Sequence, residues 1–184
     1  MLRLRTHGYE RFFQSPAFEA TFGGGEANVA VSLSNYGFDA GFISALPDND
    51  IGQNAINALR AVGVDTNNVK RQGERVGIYF LETGANQRAS KVIYDRSNSS
   101  ISQCKPGDFD WPSIFKDAKW LHITGITPAL SQDSADLSLE CVKEAQVDER
   151  SEWILNTGQW LSIPFVIIGF YLMISSFKRP LKDA

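Results

Sequence analysis

The chain has 184 residues, enough for one domain with a sizeable core, and its 43% hydrophobic and 21% charged residues are those of a globular protein. A formal net charge of −3, with no basic run before the last few residues, argues against nucleic acid as a main partner. Two scattered histidines, His7 and His122, supply no metal site, two distant cysteines, Cys104 and Cys141, fit reduced thiols in the cytosol, and the N-terminus shows no signal peptide.

Gly23-Gly24-Gly25 runs straight into Glu26-Ala27-Asn28-Val29-Ala30, which reads as a glycine loop feeding a helix over 26–36, closed by Gly37. Glycines let a ligand touch bare backbone, and a helix N-terminus presents unpaired N–H groups. Asn28 falls in the first turn, where its amide can face whatever the loop holds. A Gly-Gly-Gly run on its own is more often a plain surface loop. Residues 40–46 read as a short buried strand, and Pro47-Asp48-Asn49-Asp50 as a turn in which Asp50 caps a helix over 51–62. Ile51, Ala55, Ala58, Leu59 and Val62 form its apolar face, and Gly63 ends it. Asp48 and Asp50 are better explained by turn and cap than by a metal pair. This alternation predicts an α/β fold.

Two strand-like runs follow, 75–82 and 90–96, with Gly84-Ala85-Asn86 as the turn between them. Such a hairpin in an α/β domain serves as a lid or a subunit contact. Arg71, Arg75 and Arg88 read as solvated charges at its edge. Alternation resumes with a short helix over 111–117, a strand over 119–124 that carries His122 as a core histidine, and a helix from about 134 to 145. At residue 147 the composition breaks. A charged run, 148–152, precedes 153–177, which contains no charge, and Lys178, Arg179 and Lys182 follow. That pattern fits a membrane-spanning segment. A buried C-terminal helix or strand pair fits too, and Gly158, Pro164 and Gly169 weaken a continuous helix.

Seven stretches, in order, carry a resemblance: Phe22-Gly-Gly-Gly-Glu-Ala-Asn-Val-Ala-Val-Ser-Leu, Leu46-Pro-Asp-Asn-Asp-Ile-Gly, Val62-Gly-Val-Asp, Gly77-Ile-Tyr-Phe-Leu-Glu, Lys91-Val-Ile-Tyr-Asp-Arg, Pro106-Gly-Asp-Phe-Asp-Trp and Trp120-Leu-His-Ile-Thr-Gly-Ile-Thr-Pro-Ala-Leu. Through them residues 1–146 resemble the PfkB/ribokinase family of carbohydrate kinases, and within it the 2-keto-3-deoxygluconate kinases. The resemblance implies a ribokinase-like sandwich with a β-hairpin lid. It also implies cytoplasmic, ATP- and Mg-dependent phosphorylation of a sugar acid, and a homodimer made through the lid. It places Gly24, Gly25 and Asn28 against the sugar and makes Tyr79, Tyr94 and Arg96 the lid's tyrosines and arginine. Arginine offers a carboxylate a planar fork, tyrosine covers a carbon skeleton while donating a hydrogen bond, and Tyr94 and Arg96, two apart, share one face of a strand.

The family's opening strand, ending in Gly-Glu, falls before Met1. Its Gly-Ala-Gly-Asp motif, which supplies the anion hole and the base, occurs nowhere in the sequence. The expected fold is therefore truncated at both ends. Residues 1–146 are the substrate-binding half and lid, with no catalytic and no metal-binding residue assigned, and the ATP-binding half is absent. Residues 147–184 are an unrelated hydrophobic tail, expected as a C-terminal helix that touches membrane through 153–177. From Asn156 onward the tail resembles the last transmembrane segment of prolipoprotein diacylglyceryl transferase, without that family's catalytic residues. The alternatives are a non-catalytic sugar-acid-binding fragment and a fusion product carrying that membrane segment.

Overall fold

The computed structural model describes residues 1–145. Met1–Val142 form one compact unit. The expected break at 146/147, the C-terminal helix and the uncharged stretch 153–177 lie outside the described residues. No helix among the described residues is long and apolar enough to cross a membrane.

In chain order the elements are β1 (Leu2–Thr6), β2 (Phe18–Phe22), α1 (Gly25–Asn35), β3 (Ser44–Leu46), α2 (Asp50–Arg60), β4 (Val69–Arg71), β5 (Ile78–Glu82), β6 (Lys91–Asp95), α3 (Trp111–Phe115) and α4 (Gln132–Ala145). They build two sheets. One has four strands in the order β2-β1-β5-β6, and the other pairs β3 with β4 in parallel. A further parallel bridge, Gly41 to Asp65, prolongs the second sheet.

The parallel pair lies between apolar layers. Adjacent side chains of a strand point to opposite faces, and β3 uses both. Leu46 joins Ala55 and Ile56 of α2, Val69 and Val76. Ala45 joins Cys104, Trp111, Leu137 and Cys141 on the side of α3 and α4. Phe109, Trp111 and Phe115 stack in series there, with ring centroids 5.1 and 5.7 Å apart. A third cluster, Ala30, Ala40, Leu59 and Val64, seats α1 beside α2.

Several local expectations hold. Helix α1 ends before Gly37, and α2 before Gly63, both at φ +82°, the left-handed conformation that costs a glycine nothing. Others need correction. Asn49, not Asp50, caps α2: its Oδ1 accepts the Gly52 N–H at 2.9 Å. The buried face of α2 is Gly52, Ala55, Ile56 and Leu59, whereas Ile51, Ala58 and Val62 are exposed. The cap fixes where the helix begins, and with it which face turns inward.

The expected strand over 119–124 is not formed. Among the described residues no strand pairs with it. Its apolar residues are used differently, with Leu121 packed against the α3–α4 cluster and His122 exposed rather than in the core. The hairpin is real but is half of the four-stranded sheet, since β5 also pairs in parallel with β1, a strand the sequence reading lacked, and β1 with β2. The lid-edge arginines are paired rather than solvated. Arg75 makes a bidentate pair with Asp95, Arg88 bridges Glu82 and the carbonyls of Tyr9 and Thr83, and Arg71 reaches Asp48.

Both cysteines are free and buried. Burial pushes the Cys104 thiol up, although Gln72 Nε2 donates to its sulfur at 2.8 Å, and pushes Cys141 up to about 11. Neither is expected to react with a thiol reagent at neutral pH in the native chain, and both should react once it is unfolded. Stoichiometric labelling without denaturant would contradict this packing.

Candidate functional site

A cleft of about 120 Å³ opens where the glycine loop, the start of β3 and the residues before β5 converge. Gly23, Gly24 and Gly25 line it, with Phe42, Val76 and Gly77 among the other wall residues. Gly24 is the N-cap of α1 at φ +149°, where a side chain would be strained, and no side chain caps the helix. Among the described residues the Gly25 and Ala27 N–H groups at the start of α1 are therefore left to whatever occupies the loop.

Tyr79 and Asn28 converge at the edge of that loop. A Cβ on Gly23 would lie 3.1 Å from Tyr79 Oη and 3.7 Å from Asn28 Oδ1. Tyr79 on β5 stands directly across from Tyr94 on β6, with ring centroids 6.0 Å apart. Arg96 follows β6, lines the cleft, and holds its Cζ 4.3 Å from the centre of the Tyr94 ring. The two-residue spacing thus does put Tyr94 and Arg96 on one face. Of the six residues singled out by sequence, Gly24, Gly25 and Arg96 line the cleft, Asn28 and Tyr79 border it at Gly23, and Tyr94 is exposed and backs Arg96.

Two arginines line the cleft in different states. Arg75 is committed to Asp95, at 2.7 and 2.9 Å, and the hydrogen bonds from Arg75 hold the Asp95 carboxyl below the usual carboxylate range. Among the described residues Arg96 has no carboxylate partner. Its stack on Tyr94 orients the guanidinium without using its donors.

Glu26 is the lining residue that sequence reasoning missed. It is half-buried, and its Oε1 accepts from Thr124 Oγ1 at 2.5 Å and Thr127 Oγ1 at 3.1 Å. Burial alone would push its carboxyl up. The bonds from Thr124, from its own amide and from Thr127 outweigh that and hold it below its ordinary value. In sequence it reads only as an acid favoured in a helix's first turn. Among the described residues no group of three His, Cys, Asp or Glu side chains could hold a metal ion.

A cleft floored by a glycine loop and a helix N-terminus that no side chain caps, beside a sheet carrying tyrosines and an arginine with no carboxylate partner among the described residues, gives an α/β protein with a candidate small-molecule site. The particular kind follows from comparison with known proteins. The profile of the pfkB family of carbohydrate kinases matches residues 5–152, and the chain belongs to that family.

Among curated relatives, it is 33% identical over 145 residues to 2-dehydro-3-deoxygalactonokinase of Haloferax volcanii, covering 79% of this chain and 45% of that protein. It is 37% identical over 121 residues to 2-dehydro-3-deoxygluconokinase of Thermoproteus tenax, covering 65% and 37%. The crystal structure of 2-dehydro-3-deoxygluconokinase from Thermotoga maritima superposes with a TM-score of 0.79 at 46% identity, over 81% of this chain and 46% of that one. A PfkB family carbohydrate kinase from Listeria grayi gives 0.77 at 37%, over 80% and 46%. The fold is thus ribokinase-like α/β. The chain spans about half the length, or less, of the relatives it matches.

Proposed function

We propose that the described residues are the acceptor-binding part of a kinase for a keto-deoxy sugar acid of the 2-keto-3-deoxygluconate type (2-dehydro-3-deoxygluconate in the relatives' names). The observation that carries this is Arg96: a guanidinium lining the cleft, oriented on Tyr94 and paired with no carboxylate among the described residues. A sugar acid supplies that carboxylate. Its hydroxyls then meet the open N–H groups at the start of α1 and the Tyr79 hydroxyl, and Gly24 and Gly25 let the carbon skeleton approach the backbone.

ATP and Mg²⁺ would supply the phosphoryl group and its charge neutralisation. The described residues do not fit them. No acidic cluster suits a divalent cation, the cleft's Glu26 is committed to two threonines, and the sequence holds no Gly-Ala-Gly-Asp run. The purified chain is accordingly expected to bind the acid without ATP-dependent turnover, and phosphorylation above a no-enzyme control would overturn that. The edge strand β6, with Val92, Ile93 and Tyr94 exposed on its two faces, supports the lid as the contact with a second copy.

Binding is tested by an amide NMR titration of the 184-residue chain with 2-keto-3-deoxygluconate. Shifts should concentrate at 23–28, 77–79 and 96, with a dissociation constant on the order of millimolar, equivalent to about 4 kcal/mol. Saturating acid that leaves 23–28 unmoved would sink the assignment.

A further inference from the structure

One wall of the cleft is built from chain with no helix or strand. Ile126, Thr127 and Leu130 line it, and the segment 125–130 is a succession of turns, with Ala129 N–H bonded to Ile126 O and Leu130 N–H to Thr127 O. Such a wall needs an outside anchor, because no sheet holds its backbone. Among the described residues, its side-chain hydrogen bonds to the glycine-loop side of the cleft all end on Glu26. Thr124 Oγ1 and Thr127 Oγ1 both donate to Oε1, and the turn closes on itself through Ile126 N–H to Thr124 Oγ1 at 3.3 Å. Directly beneath, a Cβ on Gly25 would come within 3.2 Å of Thr124 Cγ2, so the turn is seated on the loop at van der Waals range. Bonds to an ionised acceptor are the strong ones, and both of these end on one oxygen of the carboxylate, Oε1.

We propose that Glu26 is a positioning residue: its carboxylate latches the 124–127 turn onto the glycine loop and so sets the width of the cleft. The proposal rests on the cleft's being the sugar-acid site. It adds a residue that acts on the ligand through the wall rather than by contact.

Two variants approach the latch from opposite sides in the full chain, Glu26→Ala and the near-isosteric pair Thr124→Val with Thr127→Val. Either should speed native-state hydrogen exchange of the 124–130 amides by about tenfold or more, the loss expected for a charge-assisted hydrogen bond, while core amides of α2 stay protected. Combining the two should add little, because both remove the same bonds. Exchange unchanged in both variants, or effects that simply add, would overturn the latch. The second readout is affinity for 2-keto-3-deoxygluconate, which should fall about tenfold in either variant, while the preference for the acid over a neutral sugar, set at Arg96, is kept. Faster exchange with unchanged affinity would overturn the positioning role. If the unaltered chain fails to bind the acid, the proposed function falls, and the exchange comparison still decides the latch.

Discussion

Replacing Arg96 with alanine is expected to erase the chain's preference for a sugar acid over the matching neutral sugar. A hydrogen-bonded pair between charged groups contributes about 1.5–3 kcal/mol, so the acid should bind roughly ten- to a hundredfold more weakly. The neutral sugar should change little, because it never used the charge. Arg75 cannot take over, since its fork is already filled by Asp95. Arg96→Lys should recover only part of the loss. A lysine keeps the charge but neither the planar fork nor the stack that holds the guanidinium 4.3 Å from the Tyr94 ring centre. Tyr94→Ala tests that stack. It should weaken acid binding by about 0.5–1 kcal/mol, the usual size of an exposed cation–π contact. Paired titrations with 2-keto-3-deoxygluconate and a neutral deoxyhexose measure all three. Equal affinities for the two sugars in the unaltered chain, or an Arg96→Ala variant that still favours the acid, would remove Arg96 as the carboxylate anchor.

What was legible in the sequence was what short-range chemistry decides. Gly37 and Gly63 could be read as helix terminators because a left-handed residue after a helix excludes most side chains. The glycine loop could be read as a cleft floor for the same reason. Where two neighbours have the same chemistry, the sequence leaves a tie. Asn49 and Asp50 both make good caps, and the choice falls to the path of the chain out of β3. Strands divide differently. Leu2-Arg3-Leu4-Arg5-Thr6 alternates strictly, a period-two pattern visible in the sequence, and Arg5 meets its cross-strand partner Glu19. Residues 119–124 look equally strand-like and are not one, because a strand exists only when another pairs with it. The site shows the same limit. Arg96 and Tyr94 are two residues apart and could be placed together, whereas Glu26 and Thr124 are 98 residues apart and could not.

Gly52→Ala is expected to destabilise the chain by about 1–3 kcal/mol, despite placing a better helix former inside α2. Alanine in a helix interior gains about 1 kcal/mol over glycine. Here the methyl has nowhere to go. A Cβ on Gly52 would lie 2.1 Å from the Pro47 carbonyl oxygen and 3.3 Å from Arg71 Nη1. The obstacle is backbone, on a proline that is itself fully buried. Relief requires moving either the 47–50 turn or the start of α2, and both routes pull Asn49 away from the Gly52 N–H it caps, a loss of about 1 kcal/mol. Forcing a methylene into a packed site costs about 1–3 kcal/mol more. The strain enters the core directly, because α2 carries Ala55, Ile56 and Leu59 and the turn hangs from Leu46. Gly41→Ala is the control: nothing lies within 4 Å of its Cβ position and its φ is not positive, so it should be near neutral. Urea denaturation of the three proteins compares them. A Gly52→Ala variant as stable as Gly41→Ala would mean that the 47–52 turn yields freely. The close approach of α2 to Pro47 would then be no constraint on how the parallel strands are packed.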